Sequence, residues 1–143
     1  MKPNENVQDL LTGSVLKMTI FGEPTPKGRP KVAMRGKFPQ VYTPKQTRDA
    51  EESFLAQAIK QRPEKPITEA IKVTIDFYKA KPKSMPKKVV HWTKKPDLDN
   101  MIKLVLDAMN KVFFIDDSQI IELHCRKKYD EVPRTEVIIE TFK

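Results

Sequence analysis

IKVTIDFY, residues 71–78, alternates apolar with polar side chains over its whole length. A period of two residues is typical of a β-strand that buries one face and exposes the other. We therefore predict a strand here, the clearest one in the chain.

The sequence before this strand predicts more β-structure and one helix. Alternation over 15–21 indicates a strand, and a short hairpin is predicted over 34–42. The segment 43–46 combines a threonine N-cap, a proline at the first helical position and a glutamine three residues after the cap. A helix should begin there and end before Pro63, because the residue that precedes proline disfavours helical backbone.

The sequence after the strand predicts a loop, a helix and two strands. Residues 79–95 contain seven lysines and no acidic residue, which indicates a solvated loop. Apolar residues spaced three and four apart predict an amphipathic helix over 98–111. Alternation then predicts strands over 119–129 and 135–142, and the connection at 130–133 suggests a terminal hairpin.

This order of elements predicts an α+β fold, a mixed β-sheet with two main helices packed on it. A chain of 143 residues is the length of one ordinary domain. We expect a flexible N-terminus over 1–13 and a single domain over 14–143.

Charge and cysteine content narrow the class of protein. The 27 Lys and Arg outnumber the 19 Asp and Glu, and the formal net charge of +8 favours a polyanionic partner such as nucleic acid. Cys125 is the sole cysteine, which excludes an internal disulfide and a cysteine-rich zinc site. No apolar run approaches the roughly 20 residues of a membrane span, so we expect a cytoplasmic protein.

Two pairs of aspartates flank the predicted helix 98–111 of this basic chain. Asp97 and Asp99 follow Pro96 and can both lie at the N-terminus of the predicted helix, where the helix dipole favours anions. Asp116 and Asp117 follow the same helix, and either could join the first pair; spacing alone does not choose between them. Carboxylates repel phosphate unless a divalent cation stands between them, so this pattern predicts magnesium and phosphodiester chemistry.

Simpler structural roles are also open for these residues. Asp97 or Asp99 could cap the helix, and Asp116 and Asp117 could be turn residues. The polar face of the helix could carry a ladder of surface ion pairs. Its members would be Asp99, Lys103, Asp107 and Lys111.

Three short segments resemble the central signature of the RusA-type Holliday junction resolvases. They are KPDLDNMIK (95–103), DAM (107–109) and DDSQI (116–120), and GEPTPKGRP (22–30) also resembles the opening of many members. The long basic loop before the signature, which holds Trp92, departs from the family pattern. Trp92 could wedge at a junction or stack on a base, and it could equally belong to the core or to a dimer interface.

The resemblance implies a small homodimeric endonuclease that requires Mg²⁺, for which Mn²⁺ can substitute, and that cuts four-way DNA junctions by paired nicks. The family's three metal-binding aspartates fall on Asp97, Asp99 and Asp117, and its essential lysine falls on Lys103.

Basic loops should supply the DNA contacts. We expect these from Lys27, Arg29, Lys31, Lys94 and Lys95, each of which would add to the salt dependence of binding. Two other functions fit the same charge pattern. One is a non-catalytic protein that binds branched DNA, and the other is a metal-dependent nuclease of another substrate class, including RNA.

Overall fold

The computed structural model describes residues 13–28, 31–42 and 45–142. Six strands and two α-helices make up this part of the chain. The strands are β1 (Val15–Phe21), β2 (Lys31–Arg35), β3 (Phe38–Tyr42), β4 (Ile71–Lys79), β5 (Ile120–Tyr129) and β6 (Arg134–Thr141). The helices are α1 (Lys45–Ala58) and α2 (Leu98–Met109), and short 3₁₀ turns cover Ile59–Gln61 and Asp117–Gln119.

Four strands form one mixed sheet in the order β1-β6-β4-β5. β6 is antiparallel to both of its neighbours, whereas β5 is parallel to β4. The α+β class and the mixed sheet with two helices are therefore confirmed.

The predicted terminal hairpin of β5 and β6 is wrong, because β4 lies between these two strands. Their connection passes across the end of β4, where the Asp130 N–H donates to the Lys79 carbonyl at 2.9 Å. β4 is the strand whose apolar residues are most completely buried. It pairs with β6 along one edge and with β5 along the other. β5 carries several charged residues, a composition suited to a sheet edge.

One face of the sheet and the two helices enclose the core. Buried residues of neighbouring strands face one another in register, such as Ile75 opposite Val137 and Val73 opposite Ile139. The helix α2 contributes Met101 and Met109, both fully buried. Phe113 and Phe114 belong to the same core cluster.

The observed boundaries lie close to the predicted ones. β1 has the predicted bounds, and α2 ends two residues early because Asn110 leaves helical backbone (ψ 133°) and Lys111 follows at φ +68°. α1 and its 3₁₀ turn end before Pro63, as predicted. The capping residues Thr43 and Pro44, and the predicted flexible segment up to residue 12, lie outside the described residues.

The predicted hairpin is present as β2 and β3, which pair only with each other in a second sheet. Its turn is at Gly36, where φ is +63° and the lack of a β-carbon avoids strain. In the described ranges, no helix is both long and apolar enough to cross a membrane.

Candidate functional site

Asp97 and Asp99 lie together at the start of α2. Asp97 is the N-cap residue with extended backbone (φ −72°, ψ 143°), and Asp99 is in the first turn. Both side chains are exposed, and Asp97 makes no side-chain capping hydrogen bond. Its carboxylate is therefore not engaged as a helix cap, and both acids lie at the positive end of the helix dipole.

The backbone before Asp97 is held by Lys127 of β5. Its Nζ donates to the carbonyl oxygens of Lys94 at 2.9 Å and of Pro96 at 3.0 Å. The same ammonium lies 5.0 Å from the centroid of the Trp92 ring. Lys127 thus ties the residues just before the two carboxylates to the sheet.

Trp92 is buried and anchors the basic loop to the end of β5. Its side chain is 3% exposed, and its ring stacks on Tyr129 with centroids 6.1 Å apart. The structure therefore supports a packing role for Trp92 inside the protein. A buried ring cannot wedge into a junction or stack on a base.

The segment 23–28 runs along the other side of the α2 N-terminus. The Lys27 N–H donates to the Asn100 carbonyl at 2.9 Å, and the Gly28 N–H donates to Thr47 Oγ1 at 2.8 Å. A shallow cleft of about 390 Å³ lies between this segment and the start of α2. Its walls are Pro24, Thr25, Pro26, Lys95, Pro96, Asp97 and Asn100.

The Lys27 side chain points to protein carboxylates. Its Nζ contacts Asp107 and lies 3.2 Å from Glu51. Burial acts to lower the pKa of Lys27, but the hydrogen bonds to Asp107 and Glu51 outweigh it and the pKa is raised. In this arrangement Lys27 joins the segment 23–28 to α1 and α2, and its charge is paired with two protein carboxylates.

The ion-pair ladder along α2 is absent from the described residues. Asp107 pairs with Lys27, and no ion pair of Lys103 occurs in the described part of the chain. Lys103 is exposed one turn after Asp99. Its ammonium is thus available to a phosphate on the same side of the helix as that carboxylate.

The two acids after α2 have different environments. Asp116 caps the 3₁₀ turn: its carboxylate accepts from the Ser118 N–H at 3.1 Å, and its own N–H donates to Gln119 Oε1 at 2.8 Å. The hydrogen bond to Ser118 lowers the pKa of Asp116. Asp117 is exposed, and its carboxylate makes no hydrogen bond to another described residue. Of the two acids, Asp117 is therefore the one whose carboxylate is less engaged by the described part of the protein.

Asp117 lies far from Asp97 and Asp99 within one chain. Lys127 on β5 contacts Pro96, the neighbour of Asp97, and Asp117 lies just before Ile120, the first residue of β5. Lys127 is seven residues beyond Ile120, which corresponds to about 23 Å at the rise of a strand. The 12 residues of α2 give a similar span of about 18 Å between its two ends. Over the described ranges, no three His, Cys, Asp or Glu side chains group closely enough to hold a metal ion. One chain brings two of the three predicted carboxylates together and holds the third at the opposite end of β5.

Two of the remaining predicted contacts lie at the α2 N-terminus. Lys94 and Lys95 are exposed directly before it. Lys31 is the first residue of β2, and Arg29 lies outside the described residues.

Sequence reasoning missed Lys127. A signal was present, because Lys127 occupies a position between Cys125 and Tyr129 that alternation assigns to the face packed against the core. A lysine at such a position needs a polar partner, and the carbonyl groups of the loop before Asp97 supply it.

Comparison with known proteins identifies the family of this chain. It is 34% identical over 134 residues to the uncharacterised protein YqaN of Bacillus subtilis (strain 168), a match covering 87% of this chain and 94% of YqaN. It is 40% identical over 93 residues to the crossover junction endodeoxyribonuclease rusA of Lactococcus phage r1t, covering 61% and 68% of the two chains. The family model for the endodeoxyribonuclease RusA matches residues 22–140, and the chain therefore belongs to the RusA family of endodeoxyribonucleases.

Proposed function

We propose that this protein is a homodimeric, magnesium-dependent nuclease that resolves four-way DNA junctions by paired nicks. The observation that carries the proposal is the pair of exposed carboxylates, Asp97 and Asp99, at the N-terminus of α2 in a strongly basic chain. They lie within the segment matched by the RusA family, and the related phage protein is named as a crossover junction endodeoxyribonuclease.

The donor chemistry at this end of α2 fits Mg²⁺. Magnesium takes oxygen ligands and is commonly held by one or two carboxylates together with substrate phosphate. Asp97 and Asp99 would hold it from one chain. When bound, the ion would neutralise charge on the scissile phosphate and lower the pKa of a water molecule; Mn²⁺ offers similar chemistry and can substitute.

The protein's own side chains would bind and orient the DNA. Lys103 would place its ammonium against the charge that develops on the cleaved phosphate. Lys94 and Lys95 would contact phosphates next to the cut, and Lys31 would contact the strand near the hairpin. Lys127 would act as a positioning residue, because it holds the backbone from which Asp97 projects.

A second copy of the chain would complete the site. β5 is at one end of the sheet order, and in the described residues no strand pairs with its outer edge. Three large apolar side chains near this edge are exposed: Ile115 (50%), Ile121 (61%) and Leu123 (43%). An open edge beside exposed apolar residues is suited to pairing with a copy of itself about a two-fold axis.

Antiparallel pairing of β5 with its copy would bring the distant acid to the α2 end. A two-fold axis near Leu123 would set Asp117 of the partner subunit beside Tyr129, the end of β5 that contacts Trp92. Each of the two sites would then take Asp97 and Asp99 from one chain and Asp117 from the other. Two equal sites on a two-fold enzyme match the near two-fold symmetry of a four-way junction.

The test is cleavage of a synthetic four-way junction with and without Mg²⁺. We expect paired nicks with the metal, and loss of at least about a hundredfold in rate for Asp97→Asn with junction binding retained. Asp49→Asn is the matched control, since Asp49 is an exposed acid on α1. If the wild type binds junctions but never nicks them, the protein is a non-catalytic branched-DNA binder. Preferred cutting of linear duplex or RNA would assign another substrate class.

A further inference from the structure

The β2–β3 hairpin exposes its apolar side chains to an unusual degree. Val32 is 64% exposed, Met34 66% and Phe38 77%, and Phe38 is the most exposed large apolar residue of the described ranges. The hairpin pairs with no strand of the main sheet. An isolated two-stranded hairpin is marginal in water, so a projecting apolar one is suited to packing against a partner.

The strand register sorts these residues by face. Met34 is opposite Pro39, and residues opposite one another in an antiparallel pair share a face. Val32 lies two residues before Met34 on the same strand and therefore points to the same side, so three apolar side chains share one face of the hairpin. Phe38 lies at the turn, opposite Arg35 and after Gly36 and Lys37.

The charge of the hairpin indicates what kind of partner it fits. Residues 31–42 contain Lys31, Arg35 and Lys37 and no acidic residue. A surface that is apolar and cationic at once complements a polyanion with exposed apolar faces. Nucleic acid with unstacked bases has this chemistry.

The root of the hairpin is beside the candidate site. β2 begins three residues after Gly28, which is held to Thr47, and Lys27 is held to the start of α2 at Asn100. From that root, strands of five residues extend about 17 Å. The hairpin can therefore reach DNA that is bound at Asp97 and Asp99.

We propose that the hairpin inserts at the branch point of junction DNA, where Phe38 and Met34 pack against the faces of unstacked base pairs. Lys37, exposed at the turn, holds a flanking phosphate. A continuous duplex hides these base faces by stacking, whereas a branch point exposes them, so the hairpin supplies preference for branched over linear DNA. The inference rests on the proposed junction nuclease function and adds the element that recognises the branch.

The experiment measures binding and base unstacking with the full-length protein in EDTA, so that no cleavage occurs. The probes are a four-way junction and a linear duplex, each with 2-aminopurine at the position of the branch or its equivalent. The variants are Phe38→Ala and Met34→Ala. The matched control is Val90→Ala, since Val90 is 69% exposed in the basic loop.

We expect the wild type and Val90→Ala to raise 2-aminopurine fluorescence in the junction. Phe38→Ala should abolish the rise and weaken junction binding about tenfold, with duplex binding changed less than about twofold. Unchanged thermal midpoints would show that the variants fold.

Three outcomes overturn the proposal in distinguishable ways. If the wild type nicks junctions with Mg²⁺ but the hairpin variants match it in fluorescence and in junction preference, the hairpin proposal fails alone. If the wild type neither nicks junctions nor prefers them to duplex, the proposed function fails as well. If the variants become monomers in sedimentation, the hairpin is an arm between subunits and not a DNA wedge.

Discussion

Asp116 and Asp117 are neighbours with the same side chain, and their hydrogen bonds separate them. The Asp116 carboxylate accepts from the Ser118 N–H and closes the turn before β5, whereas the Asp117 carboxylate is exposed. A carboxylate that satisfies backbone donors stabilises its own loop, and an unengaged one can bind a cation. The same distinction applies to Asp97, which occupies an N-cap position without capping.

Substitution of the two acids should therefore have opposite effects. We expect Asp117→Ala to lower the rate of junction cleavage at least about a hundredfold with the thermal midpoint unchanged. Asp116→Ala should lower the thermal midpoint and leave most of the cleavage activity, because it removes the cap. Cleavage assays and thermal denaturation by circular dichroism measure the two effects, and a reversed pattern would assign the metal to Asp116.

Lys127 acts at a distance from the phosphate, through the backbone that precedes Asp97. Lys127→Met removes both hydrogen bonds to carbonyl oxygens and should raise the Mg²⁺ concentration for half-maximal cleavage about tenfold. Lys127→Arg should restore most of the metal affinity. Lys128→Met is the control, since Lys128 is the exposed neighbour on the other face of β5. A fall in stability with an unchanged Mg²⁺ requirement would show that Lys127 only supports the fold.

At the level of the element, the helices and strands follow from the local pattern of their side chains. The turn of the hairpin follows from a residue with positive φ. The β2–β3 hairpin depends on Gly36 at φ +63° and on nothing in the main sheet. A β-carbon at Gly36 would meet no atom within 4 Å, so a substitution there costs backbone strain without a clash.

Gly36→Val should therefore disturb the hairpin alone. The left-handed conformation costs roughly 1–2 kcal/mol for a residue with a β-carbon, and more for a branched one. We expect faster amide exchange over residues 31–42 and a weaker preference for branched DNA, with an unchanged thermal midpoint for the domain. Hydrogen exchange and the 2-aminopurine assay test this together, and a lower midpoint would show that the hairpin packs on the core.

At the level of the whole molecule, the distance between the two ends of β5 governs the proposed site. Asp97 and Asp99 are at one end and Asp117 at the other, about 23 Å away along the strand. No rotamer change spans this distance. A second subunit is the simplest way to unite the three carboxylates.

Mixed dimers test this arrangement directly. Asp97→Asn and Asp117→Asn are each expected to be inactive alone, but a dimer of one subunit of each has one intact site if the site is shared. Refolding the two together should restore single nicks in the junction. A mixture of Asp97→Asn with Asp99→Asn is the matched control and should stay inactive, because these two residues come from the same chain. No recovery in the first mixture would contradict a shared site.

The sequence by itself determined which segments become strands and helices, the mixed α+β class and the family. These properties depend on side-chain period, caps and short motifs, which are local: β1 and α2 follow from alternation and helical spacing. The tertiary structure alone decided that β4 separates β5 from β6, that Trp92 is buried, that Lys27 pairs with Asp107, and that Asp117 lies far from Asp97. Lys27 and Asp107 are 80 residues apart, and contacts over such separations depend on how all elements pack at once, which no local period encodes.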